Sequence, residues 1–128
     1  MKLLASQIDE ASLSQLGKEA VSLLEKRDFR SLAERFGYAL AFDKDPATAI
    51  EEDLQSCINE FQVLPEQQNP VPPSIVVKYF KQNDSALFAL VECVFTTSTG
   101  CPILAELIVT SKAEDKYATL EQVSLTAA

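Results

Sequence analysis

The sequence predicts an α+β fold: three N-terminal helices, then a four-stranded antiparallel meander, with one short strand set between the second and third helices. Three observations point there. Apolar residues recur at helical spacing through the first half, four runs rich in β-branched and aromatic residues fill the second, and a proline-rich connection at 64–74 joins them. With 128 residues, 47% of them hydrophobic, residues 1–128 suit a single domain with one core.

Residues 1–11 hold too few apolar side chains for a signal-peptide core and are expected to form a flexible lead. Leu13, Leu16, Ala20, Leu23 and Leu24 share a helical face, and Ser12 with Gln15 makes a capping-box pattern before it, which predicts a helix over about 12–26. Phe29, Leu32, Ala33 and Phe36 mark a short second helix, with Asp28 as its N-cap and Gly37 as its stop. Tyr38, Leu40 and Phe42 then alternate, as in a strand over 38–42 that turns all three toward the core. Ile50, Leu54, Cys57, Ile58 and Phe61 form a third helical stripe. Asp45 serves as its N-cap and Pro46 as its first residue, where a missing N–H costs nothing. Four of the six prolines fall within 64–74 and make that stretch extended and irregular.

The four later runs are divided by polar turns at 83–85, 98–100 and 112–116, short enough to require antiparallel neighbours. If Ser98-Thr99-Gly100 is a three-residue hairpin loop with glycine in the left-handed region, Thr97 pairs with Cys101. Phe95 then meets Ile103, Cys93 meets Ala105, Val91 meets Leu107 and Ala89 meets Val109, an apolar face expected under the helices. The opposite face carries Phe88, Leu90, Val94, Leu104 and Ile108, sets Glu92 across from Glu106, and takes Lys78 and Phe80 from the preceding strand. Such a face is too apolar for water, so these nine residues are expected to form the interface of a homodimer, with Lys78 relieving the repulsion of the paired carboxylates.

Composition excludes several chemistries. Formal charge is −8, with 19 acidic residues against 11 scattered basic ones, a surface that repels a phosphate backbone, so no nucleic acid partner is expected. Histidine is absent, which removes imidazole acid–base chemistry, Ser-His-Asp and Cys-His arrangements and most zinc sites. No metal and no cofactor is expected. Cys57, Cys93 and Cys101 are odd in number and lack CxxC spacing, which suits a reducing cytoplasm. Cys57 and Cys93 read as core residues and Cys101, beside a turn, as the more accessible thiol. No stretch approaches the length of a membrane span, so no membrane partner is expected.

The stretch LEKRDFRSLAERFGYALAF, a helix ending in a charged pair followed by Asp-Phe-x-x-Leu-Ala-x-x-Phe and a short strand, resembles the N-terminal half of the NTF2-like superfamily, which includes SnoaL-like and ketosteroid-isomerase-like proteins. The resemblance covers most of residues 12–128. It implies a cone-shaped α+β roll, in which a curved sheet wraps the first helix around a pocket and the outer sheet face often dimerises. Enzymes of that superfamily use pocket Asp, His or Tyr residues, whereas many members act in binding or assembly. This chain has no histidine and no aspartate on a middle strand. The polar residues expected to face such a pocket are Tyr38, Tyr79, Tyr117 and Glu121, as contacts for a small apolar ligand. The favoured reading is a non-enzymatic domain that binds such a ligand or a protein partner and dimerises. The alternatives are an isomerase or dehydratase working with pocket Tyr and Glu, and an immunity-type protein whose acidity suits a basic target.

Overall fold

Among residues 1–62, 72–81 and 84–126, those described by the computed structural model, three helices lie on one face of a five-stranded antiparallel sheet. The strands are β1 (Lys2–Leu3), β2 (Ser74–Tyr79), β3 (Leu87–Thr96), β4 (Pro102–Lys112) and β5 (Asp115–Leu125), in the spatial order β1-β5-β4-β3-β2. The helices are α1 (Glu10–Glu25), α2 (Phe29–Phe36) and α3 (Pro46–Gln62). Most of the proline-rich connection, 63–71, and the turn residue Asn83 lie outside the described residues.

The meander follows the register read from the Ser98-Thr99-Gly100 turn. Gly100 has φ +88°, the Thr97 N–H donates to the Cys101 carbonyl at 2.9 Å, and Phe95 pairs with Ile103, Cys93 with Ala105, Val91 with Leu107 and Ala89 with Val109. These side chains are 0–3% exposed and form the sheet half of the core. The helical half comes from Leu13, Leu16, Ala20 and Leu24 of α1, Leu32 and Phe36 of α2, and Ile50 and Leu54 of α3.

The helix starts behave as their caps require, except the first. The Asp28 carboxylate accepts from Ser31 N–H at 3.2 Å, and Asp45 accepts from Thr48 N–H at 3.1 Å and the Thr48 hydroxyl at 3.0 Å. Gly37, at φ +69°, ends α2 in a conformation that glycine adopts without a Cβ clash. Helix α1 begins at Glu10, two residues before the predicted start, and Ser12 is not its cap. The cause lies upstream, in the segment expected to be a flexible lead. Lys2 and Leu3 pair with Tyr117 and Lys116 as an edge strand, the Ala118 N–H donates to the Met1 carbonyl at 2.8 Å, and a 3-10 turn (Ala5–Gln7) delivers the chain to α1 early.

The fifth strand of the sheet is therefore β1, not the predicted 38–42. Tyr38 makes one isolated parallel bridge to Leu120, after which Ala39–Ala41 coil into a 3-10 turn. That turn replaces the two-residue alternation by a three-residue one. Tyr38 and Ala41 enter the core, while Leu40 and Phe42 face solvent at 40% and 85% exposure, against the expectation that they point inward.

Helix α1 crosses the sheet at Gly17. A Cβ there would lie 3.0 Å from Cys93 Sγ, Ile75 Cγ2 and Val91 Cγ1, so the missing side chain is what lets the helix backbone settle onto β2 and β3.

Candidate functional site

The helices leave the other side of the sheet uncovered among the described residues. Three rows cross it: Ser74, Val94, Leu104 and Ser124; then Val76, Glu92, Glu106 and Gln122; then Lys78, Leu90, Ile108 and Thr119. Glu92 stands directly opposite Glu106, and each carboxylate has its own partner. Lys78 Nζ lies 2.5 Å from Glu92, and the Gln122 side-chain amide donates to Glu106. A cation on one side and an amide on the other relieve the repulsion that facing carboxylates create. Val76 and Phe80 are exposed, and Leu90, Val94, Leu104 and Ile108 are half-buried.

Charge divides between the two layers. The five strands carry Lys2, Lys78, Lys112 and Lys116 against Glu92, Glu106, Asp115 and Glu121, a neutral balance. From Asp9 to Glu60 the helical layer holds twelve acidic and six basic side chains, so most of the net charge of −8 is carried there.

Phe88 does not join this face. The pairing slips between Leu87 and Ala89, a β-bulge that gives β3 an extra residue and turns the Phe88 ring to the helix side. The ring packs edge-on against Tyr79, with centroids 5.6 Å apart, and Lys116 Nζ lies 5.1 Å above it. The other eight residues expected in the interface all lie on the outer face or, for Phe80, at its edge.

The four residues expected around a pocket do not converge. Tyr38 is buried against β5, through its bridge to Leu120, and its hydroxyl donates to Asp53 Oδ2 at 2.5 Å. Burial first, and the hydrogen bond to the carboxylate second, hold its phenol proton well above the usual range, so near neutral pH it is a donor and neither a base nor a nucleophile. Tyr79 is on β2, half exposed, with its hydroxyl donating to the Ile8 carbonyl at 2.8 Å, and it fastens the segment before α1 to the sheet edge. Its pKa is raised by loss of solvent and by the charges of Asp9 and Glu10. Strands β2 and β5 are three inter-strand steps apart, about 14 Å. Tyr117 pairs with Thr110 on the outer face, because its neighbours Ala118 and Leu120 take the inner positions. Glu121 is the extra residue of a second bulge, between the pairs Glu106–Gln122 and Leu107–Leu120, and is exposed.

Five surface grooves have volumes of about 270 to 570 Å³, and none is lined by any of these four residues. Among the described residues no three of His, Cys, Asp and Glu are grouped to hold a metal ion, and no helix is long and apolar enough to cross a membrane. The cysteines are free and buried. Cys101, expected to be accessible, has no exposed surface. The α3 carbonyl of Cys57 lies 3.7 Å from its sulfur, and burial pushes its thiol up to about 11. Burial raises Cys93 to about 12, and Cys57 is raised by burial with help from Asp53 and Glu60. None is a poised nucleophile.

Comparisons with protein-family models, with curated proteins and with solved structures gave no match for this chain.

Proposed function

We propose that this chain is a non-enzymatic association domain that pairs with a second copy of itself through the uncovered face of the sheet. The observation that carries the reading is the neutrality of an apolar face on a chain of net charge −8. Two copies brought together through their helical layers would meet acid on acid, whereas through the sheet they meet without net repulsion and cover Leu90, Val94, Leu104 and Ile108.

Size supports it. Strand β3 has 10 residues, about 33 Å, and the four long strands span about 19 Å, so the flat footprint is roughly 600 Å². Side-chain relief brings that near the roughly 800 Å² per partner of a stable interface. A face carrying both Lys78 and Glu92 is self-complementary, since a two-fold axis can trade each intramolecular pair for one across the interface. Dimerisation through the outer sheet face is also what the resemblance to the NTF2-like superfamily implies. The dispersal of Tyr38, Tyr79, Tyr117 and Glu121 favours association over an isomerase or dehydratase, which needs its acid and base within reach of one substrate.

Light scattering at micromolar concentration tests the reading. The expected mass is twice 14.1 kDa, and Leu104→Lys or Ile108→Lys, each in the middle of the face, gives a monomer with unchanged circular dichroism. A wild-type monomer refutes it, as does a dimer indifferent to both substitutions.

A further inference from the structure

The exposed apolar pair Leu40 and Phe42 lies on the helical layer, away from the sheet face. Beside it runs a groove of about 440 Å³, whose walls are Leu40 and Phe42 on the turn side and Ala49, Glu52 and Asp53 on α3. Phe42 has φ +53° and ψ −118° within the turn from Ala41 to Lys44, whose Lys44 N–H donates to the Ala41 carbonyl at 2.9 Å. Those angles are the first central position of a type II′ turn, where glycine is the comfortable residue. Here a phenyl ring occupies the position and stands 85% exposed. An aromatic in a strained conformation, held in water where a glycine would relax the backbone, is the kind of outlier that marks a working site.

We infer that this groove receives a cationic, apolar-centred segment of a partner protein. The apolar walls suit an aliphatic side chain, and the Phe42 ring offers its face to an arginine or lysine. The rim selects the charge. Asp43, Glu52 and Asp53 line the groove against one lysine, Lys44, which pairs with Glu52 at 2.7 Å, so the charges of Asp43 and of Asp53, which also accepts the Tyr38 hydroxyl, remain uncompensated. A second copy of this chain would bring like charge to the same place, so the occupant carries the opposite sign. The groove and the sheet face belong to opposite layers, so this docking does not depend on self-association.

The chain has no tryptophan, so a Phe42→Trp variant of the full protein reports on the groove alone. It is titrated with a short peptide of arginines flanking two leucines, and with two controls, one with glutamates for the arginines and one with serines for the leucines. The expected result is a saturable blue shift with the first peptide only. With that peptide dye-labelled, Phe42→Gly weakens binding by about tenfold or more and leaves the thermal midpoint equal or higher, since the turn prefers glycine; Glu52→Lys weakens it comparably. The inference is overturned by the absence of saturable binding, by equal binding of the serine peptide, which is bare charge attraction, or by binding that survives Phe42→Gly.

Discussion

Replacing Gly17 by alanine pits two known effects against each other. Alanine is worth about 1 kcal/mol over glycine in a helix interior, so the substitution alone would stabilise α1. Its methyl, however, would sit 3.0 Å from Cys93 Sγ, Ile75 Cγ2 and Val91 Cγ1, where ordinary contacts lie about 0.5–1 Å farther out. Val91 and Cys93 have no exposure and belong to β3, which is paired on both sides, so neither can yield; Ile75, on the edge strand, can. Overpacking of this kind costs about 1–3 kcal/mol. The helical gain offsets part of it, leaving an expected loss of about 1 kcal/mol. Urea denaturation followed by circular dichroism, at one protein concentration because association would shift the midpoint, reads this as a lower midpoint with unchanged slope. In a Val91→Ala background the added methyl has room and the penalty shrinks, a coupling that identifies the contact. A gain of about 1 kcal/mol in the wild-type background, the unopposed helical value, would refute the close crossing of α1 over the sheet.

Tyr38→Phe removes a hydroxyl donated to Asp53 and is expected to lower stability by about 1 kcal/mol by the same assay; no loss means that the contact is idle. Stability should fall as pH rises above about 9. The ordinary values are 9.0 for a cysteine and 10.0 for a tyrosine, and the fold raises Cys93 to about 12, Cys101 to about 11 and Tyr38 further still, chiefly by burial. Below those ordinary values both folded and unfolded chains hold these protons and the contribution is intact; above them the unfolded chain releases protons that the folded chain keeps, and unfolding gains. Denaturation midpoints measured between pH 8 and pH 11 test the sign, and a flat profile contradicts the burial. Native protein should react with a thiol reagent only as fast as it opens, and all three cysteines should react once it is unfolded; one fast native thiol would contradict the placement of Cys101.

The sheet was legible because one turn anchored it. Once Gly100 is given a left-handed φ, the two-residue period of a strand assigns the next four inner pairs of the hairpin without further information. The period fails where a strand gains a residue, and the two bulges differ in how visible they are. In β5 the inner residues Ala118, Leu120 and Val123 are spaced by two and then by three, a phase slip written in the apolar pattern itself that marks Glu121 as the extra residue. Around Phe88 no such mark exists. Leu87, Phe88, Ala89, Leu90 and Val91 are all apolar, so a slip leaves the pattern unchanged and only packing against Tyr79 and Lys116 sets the ring's side. Gly17 left no such mark: a lone glycine within a helical pattern is tolerated at a modest cost, and only the structure shows the close crossing that needs it.

The stretch from Tyr38 to Lys44 shows why the candidate site was harder to read than the fold. Alternation of Tyr38, Leu40 and Phe42 is what a strand needs, and the two aromatic residues suit one, although Ala39 and Ala41 do not favour it. The strand would have to run beside β5, yet α3 must begin at Pro46 close enough for Asp53 to receive the Tyr38 hydroxyl. Four residues of extended chain after Tyr38 would carry the backbone about 13 Å along the sheet before it could turn back. A 3-10 turn followed by a type II′ turn reverses the chain at once, closed by the Lys44 N–H on the Ala41 carbonyl. The same reversal excludes Leu40 and Phe42 from the core. Local pattern thus named the residues, and the need to return to α3 decided which of them the solvent, or a partner, can reach.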